Sequence, residues 1–157
     1  MATLTWPDID EEKGLWTIPR ERNKSNRTHE VPLSSAARAV LETLPKVDRA
    51  LVFTTNGKVP IAGFSNAKRR LDDLSQVRDW RLHDLRRTAA SGMARIGVAP
   101  HVVEKVLNHK GGAISGVAAI YNRHGYLEEK QTALQQWADH LVRVVAADTG
   151  IAHTPDR

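Results

Sequence analysis

Apolar residues recur at intervals of three or four along several stretches of the chain, and this spacing predicts amphipathic helices. The predicted helices begin near Ser35, Ser65, His83, Pro100 and Leu127. Ser34 or Ser35 can cap the first of these helices, which Pro45 ends, and Ser65 can cap the second. In chain order, the apolar positions of these helices are Val40, Leu41 and Leu44; Phe64, Ala67, Leu71 and Leu74; Leu85, Ala89, Met93 and Ile96; Val102, Val103, Val106 and Leu107; and Leu127, Leu134, Trp137, Leu141 and Val145.

Shorter apolar runs with turn signals between them predict strands in the first third of the chain. Residues 15–18 and 29–33 are two such runs, and the polar link "RERNKSNR" reads as the tip of a hairpin. The run "ALVF" predicts a short buried strand that ends in the turn "TTNGK". Further along, Gly97 suits the end of one helix, and a short helix is expected from Ser115 to near Tyr121.

The chain has 157 residues, which is typical of one domain, and we expect a domain over 1–146 followed by a disordered polar tail over 147–157. The net charge is +5 with a pI near 9.8. This balance suits a polyanionic partner without requiring one. The absence of cysteine excludes disulfides and thiolate zinc sites. No stretch has the length of an apolar membrane span, so we expect a cytoplasmic protein without a membrane partner.

His83 and Arg86 are the first candidate site residues, because their i, i+3 spacing places both side chains on one helix face. The start of a helix also offers free N–H groups and partial positive charge to an anion. The alternative interpretation is that Arg86 forms a surface ion pair with Asp84 or Asp79.

Other candidates are ambiguous when taken singly. His109 follows an apolar helix and could simply cap it, Tyr121 could pack a helix end, and Lys24 at a hairpin tip could be a solvated charge. A metal site formed by His83, His101 and His109 lacks any known zinc spacing. A helix, Gly97 and a following helix with Val103 and Val106 also resemble helix-turn-helix spacing, with residues 100–108 as the recognition helix.

Taken in order, several motifs resemble the catalytic domain of the tyrosine recombinases, the phage integrase family, from about Leu4 to Val145. The motifs are "LTWPDID", "KSNRTHEVPLS", "HDLRRT", "VLNHK" and "AAIYNRHGYLEEKQTALQQW". The resemblance is greatest to integrases of prophages and genomic islands. It implies an α+β fold that is mostly helical, with a small antiparallel sheet near the N-terminus.

The resemblance also implies the roles of five residues in DNA cleavage. Tyr121 attacks the scissile phosphate to form a 3′-phosphotyrosine, Arg86 binds the phosphate oxygens, and Lys24 protonates the leaving 5′-oxygen. His83 and His109 donate hydrogen bonds to the same phosphate, and His83 can accept the tyrosine proton. Tyr121 fits the family segment better than Tyr126 does. The expected DNA contacts are Arg22, Arg27, Arg87 and Lys110.

The implied activity is site-specific recombination, the integration or excision of a prophage or genomic island. The implied partners are double-stranded DNA attachment sites and other recombinase protomers in a tetrameric synapse, with no cofactor and no metal, near the bacterial nucleoid. The last helix would pack either on a neighbouring protomer or on its own chain. A type IB topoisomerase shares the chemistry, but the short chain and the "LNHKGG" context disfavour it.

The family also uses an earlier arginine on a helix that precedes "LTWPDID", and the printed sequence contains no counterpart. We therefore expect a fragment, either excised or from a truncated gene, that lacks the first helices and one catalytic arginine. Loss of one such group typically costs about 10²–10³ in rate. The alternative is a non-catalytic DNA-binding protein, either of the helix-turn-helix type or a decayed integrase.

Overall fold

The computed structural model describes residues 2–47, 50–109 and 126–149. Within these residues it contains five α-helices, two single-turn 3-10 helices and one three-stranded sheet, which confirms the predicted α+β class. The strands are β1 (Ile9–Asp10), β2 (Leu15–Ile18) and β3 (His29–Pro32), and the helices are α1 (Ser35–Glu42), α2 (Phe64–Ser75), α3 (Leu82–Arg95), α4 (Pro100–Val106) and α5 (Leu127–Thr149).

The sheet is antiparallel in the order β1-β2-β3, and its register places Trp16 of β2 opposite both Ile9 and Val31. The turn between β1 and β2 ends at Gly14, whose φ of 61° lies in the left-handed region where glycine is favoured. Between β2 and β3 the chain extends into the predicted hairpin tip, which contains a 3-10 turn at Arg20–Arg22. The sheet therefore presents this tip beyond its paired strands.

The main apolar core lies among the C-terminal half of α3, α4 and α5. Its buried members are Met93, Val98, Val102, Val103 and Ala133, and Met93 is 1% exposed. The inward positions predicted for α4 are thus confirmed. The prediction is wrong for Leu85, which is 58% exposed. The covering helices reach only the later turns of α3, so the first turns extend past the core.

Helix α5 packs against its own chain, against α1, α3, α4 and β3. The Gln135 side chain pairs with Ser35 at the start of α1, with both distances 2.9 Å. The Lys130 ammonium donates to the Glu30 carbonyl of β3 at 2.6 Å. The helix continues through Thr149, whereas the sequence predicted an irregular tail from residue 147; residues 150–157 lie outside the described part.

Some of the helix ends predicted from neighbouring residues are confirmed, and other local predictions are wrong. Ser34 caps α1 by accepting from the Ala37 N–H at 3.3 Å, and Gly97 follows α3 with a φ of 91°, both as predicted. Ser65 was the wrong cap, because α2 starts one residue earlier, after Gly63. The predicted strand in "ALVF" is reduced to a single bridge between Leu51 and Thr5. The predicted helix from Ser115 lies outside the described residues. No helix in the described ranges is long and apolar enough to cross a bilayer.

We expect Gly92→Ala to destabilise the fold, because a methyl group at this position in α3 would overlap the Trp137 ring of α5. Overpacking of this kind costs about 1–3 kcal/mol, and the helix propensity of alanine returns only about 1 kcal/mol. Urea unfolding measures the difference in free energy. The control is Ser91→Ala at the exposed neighbouring position. Stabilisation by Gly92→Ala would contradict the close approach of the two helices.

Candidate active site

The C-terminus of α4 is closed by a Schellman motif that fixes the backbone at His109. Asn108 adopts a φ of 53°, and its N–H donates to the Lys105 carbonyl at 3.3 Å. The His109 N–H donates to the Glu104 carbonyl at 3.1 Å. This is the pairing that a left-handed residue after a helix produces. His109 thus caps through its backbone, and its exposed side chain is not needed for that purpose.

The end of α4 also contacts side chains of other elements. Arg86 of α3 donates to the Leu107 carbonyl. The Val106 backbone faces His29 of β3 and raises the pKa of its imidazole, against the lowering by burial. A helix C-terminus carries partial negative charge, so a guanidinium is favourable there. Arg86 is therefore held beside the residue pair Asn108–His109, although α3 and α4 are separate helices.

His83 lies in the first turn of α3, one turn before Arg86 on the same face. Asp84 accepts from the Arg81 N–H at 2.8 Å and stands 3.7 Å from Arg87, and Arg86 instead bonds to Leu107. The surface pairing of Arg86 with Asp84 that the sequence allowed is thus replaced by the bond to α4.

The hairpin tip that carries Lys24 contacts the same region through the residue before it. The Asn108 amide donates to the Asn23 side-chain oxygen at 3.1 Å. Asn23 is adjacent to Lys24, just as Asn108 is adjacent to His109. Segments 85 residues apart in sequence are joined by this one bond. The structure thus brings together the segments that carry Lys24, Arg86 and His109.

Tyr121 and Lys110 lie outside the described residues, and their predicted roles stay predictions. The other tyrosine, Tyr126, is 9% exposed. Its ring meets the edge of His101 at a centroid distance of 5.5 Å, and the Lys105 ammonium lies 5.5 Å from the ring centre. This packing gives Tyr126 a structural place next to α4.

The predicted DNA contacts differ in their surroundings. Arg22 donates to the Asp8 carboxylate and, at 3.0 Å, to the Thr3 carbonyl, so its guanidinium is engaged within the protein. Burial alone would raise the pKa of Asp8, but hydrogen bonds from Arg22 and Thr5 outweigh it and hold the pKa below its ordinary value. Arg27 and Arg87 are exposed. The assignment of all three arginines to DNA contact stays a prediction.

Three basic side chains of this site interact electrostatically: His29, Lys130 and Arg86. Burial lowers the pKa of His29, and the neighbouring Lys130 and Arg86 charges lower it further, against the opposing effects of Glu30 and of its bond to Val106. Burial also lowers the pKa of Lys130, whose side chain is almost fully covered. An anion placed beside Arg86 would reduce this repulsion.

Four residues of the site were not predicted from the sequence: His29, Lys130, Asn23 and Asn108. One signal was available for Asn108, because asparagine directly after an apolar helix is typical of a left-handed cap. His29 shares a strand face with Val31, because side chains two residues apart point to the same side, and this face is partly covered. Lys130 carries no local signal, since its partner is the backbone of a distant strand.

Comparison with known proteins shows the family of the chain. The model of the phage integrase family matches residues 1–128. The chain belongs to the phage integrase family. It is 36% identical to prophage integrase IntA of Escherichia coli (strain K12) over an alignment of 154 residues that covers 95% of this chain and 36% of that protein. It is 33% identical to a shufflon-specific DNA recombinase of Escherichia coli over 97 residues, which are 62% of the chain and 24% of that recombinase.

This integrase-family chain therefore spans little more than a third of the length of IntA. No solved structure is a significant match to it.

In the part of the integrase-family chain that the structure describes, no group of three or more histidine and acidic side chains could hold a metal ion. The proposed recognition helix of a helix-turn-helix spans seven residues, and it buries Val102 and Val103 in the core. Nothing observed in these residues favours that non-catalytic alternative.

We expect the stability of the domain to fall as the pH drops below the ordinary histidine pKa of 6.5. The pKa of His29 is lowered in the folded state, so the unfolded chain binds the proton first. The loss begins near that value and levels off once the pH passes the lower folded-state pKa. Chemical denaturation at a series of pH values from about 5 to 7 measures it. His29→Gln, which keeps a donor but cannot ionise, should flatten the profile, and an unchanged profile would contradict the assignment.

Proposed function

We propose that the protein containing this chain cleaves and rejoins double-stranded DNA at specific attachment sites. The reaction would integrate or excise a mobile element such as a prophage or genomic island. The observation that carries the proposal is the anchoring of Arg86 on the Leu107 carbonyl at the end of α4, two residues before His109, in a chain that belongs to the phage integrase family. A fixed guanidinium next to a histidine is the donor set that a DNA phosphate requires.

In the proposed reaction, the Tyr121 oxygen attacks the scissile phosphorus and the bond from phosphorus to the 5′-oxygen breaks. The products are a 3′-phosphotyrosine and a free 5′-hydroxyl. The proton lost by Tyr121 passes to a base, for which His83 is the candidate. The proton gained by the 5′-oxygen comes from Lys24. The phosphodiester energy is retained in the tyrosine ester, so a hydroxyl of another strand can reverse the step without a nucleotide or metal.

Arg86 and His109 would stabilise the transition state by donating to the non-bridging phosphate oxygens. Preorganisation is the main requirement for this effect, because donors that are already in place need not reorganise during the reaction. Arg86 is held in place by its bond to Leu107, and the backbone of His109 is held by the Schellman motif. The Arg86 guanidinium has several N–H groups, so it can donate to the phosphate as well as to Leu107.

The choice of Tyr121 over Tyr126 as nucleophile is supported by the packing of Tyr126. A nucleophile must reach a phosphate at the surface of the domain, whereas the Tyr126 ring is covered by His101 and Lys105. Tyr121 also falls between "VAAI" and "NRHG", the context that resembles the family segment.

The proposed partners are attachment-site DNA and three further protomers in a tetrameric synapse, with the bacterial nucleoid as the place of action. Arg27 and Arg87 are exposed and are proposed to bind the DNA backbone, together with Lys110 and Arg22. For Arg22 this requires an exchange of its internal partners, Asp8 and Thr3, for phosphate.

We expect Tyr121→Phe to abolish covalent attachment to a nicked DNA substrate while it leaves DNA binding intact. The substitution removes only the attacking oxygen. Denaturing electrophoresis of the protein–DNA adduct and a mobility-shift assay measure the two properties.

Tyr126→Phe is the matched control for this experiment. It should keep the adduct, because the proposal gives Tyr126 no chemical role. Loss of the adduct in Tyr126→Phe with retention in Tyr121→Phe would reverse the assignment. Absence of any adduct with the unsubstituted protein at its natural length would favour a DNA-binding protein without catalytic activity.

Phosphate contacts should make DNA binding steeply dependent on salt. We expect Arg87→Ala and Arg27→Ala each to weaken binding to all sequences about equally, and to lower the slope of log K against log salt by roughly one. Fluorescence anisotropy at several salt concentrations measures the slope. Lys13→Ala, on the turn between β1 and β2, is the control for an exposed cation outside the site. An equal change in slope for Lys13→Ala would show that the effect is not local.

A further inference from the structure

Asn108 combines two properties at the position before His109. Its backbone is left-handed, a conformation that glycine adopts most readily and asparagine tolerates. Its side chain also reaches across to the hairpin tip, where its amide donates to Asn23 at 3.1 Å. Glycine would satisfy the backbone requirement alone. The asparagine therefore supplies a contact that the Schellman motif does not need.

Asn23 in turn organises the loop around Lys24. Its side-chain nitrogen donates to the Arg27 carbonyl at 2.6 Å, and its side-chain oxygen accepts from the Ser25 N–H at 3.1 Å. Both bonds close the chain over Lys24, which lies between Asn23 and Ser25. The same side-chain oxygen receives the Asn108 amide. One asparagine side chain thus shapes the tip and ties it to the α4 end.

We propose that the Asn23–Asn108 pair is a positioning device that sets Lys24 relative to His109 and Arg86. The proposal rests on the proposed function, in which Lys24 protonates the leaving oxygen. Both asparagines are positioning residues, since neither is required to touch the DNA. The pair acts by limiting the excursions of the hairpin tip.

The physical need for such a device follows from the architecture. The tip extends beyond the last paired residues of the hairpin, Ile18 and His29, so strand pairing does not fix its orientation. A general acid must come within hydrogen-bond reach of the leaving oxygen, and a displacement of about 1 Å can cost about 10²-fold in rate. Arg86 and His109 are already held by the end of α4. Attachment of the tip to that same end fixes the position of the acid, Lys24, relative to the phosphate donors, Arg86 and His109.

The decisive variant is Asn108→Gly, which keeps the left-handed backbone and removes the amide. The control is Asn26→Gly, because Asn26 also has a positive φ of 54° but lies outside the pair. Both proteins are studied at their natural length. Hydrogen exchange with mass spectrometry is measured on peptides that cover residues 19–29, with peptides of α3 as the internal reference.

Asn108→Gly should speed exchange in the hairpin tip by roughly five- to tenfold, the opening that one side-chain hydrogen bond resists. Exchange in α3 should be unchanged. Asn26→Gly should leave the α4 end unaffected. Equal exchange in the tip of the Asn108→Gly and unsubstituted proteins would overturn the proposal.

The chemical arm compares two DNA substrates that differ in the leaving atom. One has the natural 5′-oxygen and the other a bridging 5′-sulfur, which departs as a thiolate and needs no proton. Asn108→Gly should slow adduct formation on the oxygen substrate by about tenfold or more, and should leave the sulfur substrate within about twofold. Lys24→Ala should show the same pattern with a larger loss on oxygen.

The outcomes separate the inference from the function it rests on. If Asn108→Gly slows both substrates equally, the pair supports the fold in general and the positioning role is overturned. If the unsubstituted protein forms no adduct with either substrate, the proposed function fails. In that case the exchange measurement still decides whether Asn108 holds the hairpin tip.

Discussion

The carboxyl end of α4 has four terminal carbonyls, and the hydrogen bonds that they accept determine how the residues of the candidate site are arranged. Two accept from the backbone at Asn108 and His109, and the Leu107 carbonyl accepts from the Arg86 side chain. A helix end without such partners would leave polar groups unsatisfied beside the core. Because Arg86 belongs to α3, its bond to Leu107 also joins a second helix to the end of α4, and the Val106 backbone faces His29 of β3. The same bonds orient the arginine and histidine that the proposed reaction needs.

The positive groups at this end of α4 lower the stability of the fold and favour the binding of a phosphate. His29, Lys130 and Arg86 lie close enough to disfavour protonation of the histidine. Buried positive groups without full compensation destabilise a fold, yet they attract a phosphate. In the proposed function, DNA supplies the missing negative charge. The site is therefore expected to be more ordered when it is occupied than when it is empty.

The elements that local chemistry controls could be predicted from the sequence. The Ser34 cap, the Gly97 stop and the hairpin link each depend on a few neighbouring residues. Leu85 could not be placed correctly, because periodicity marks an apolar stripe but not how far a partner helix covers it. The segments of the site were predicted through family motifs, while the bonds that join them were not. The bond between Asn23 and Asn108 depends on tertiary placement, which no local pattern encodes.

Helix α5 follows the other described elements in the chain, and its contacts reach far back along the sequence. Lys130 bonds to Glu30, and Gln135 bonds to Ser35, each across a separation of 100 residues. A nascent chain that lacks α5 has no Lys130 beside β3, and therefore cannot complete the surroundings of His29. Synthesis order thus delays assembly of the candidate active site until α5 has been made.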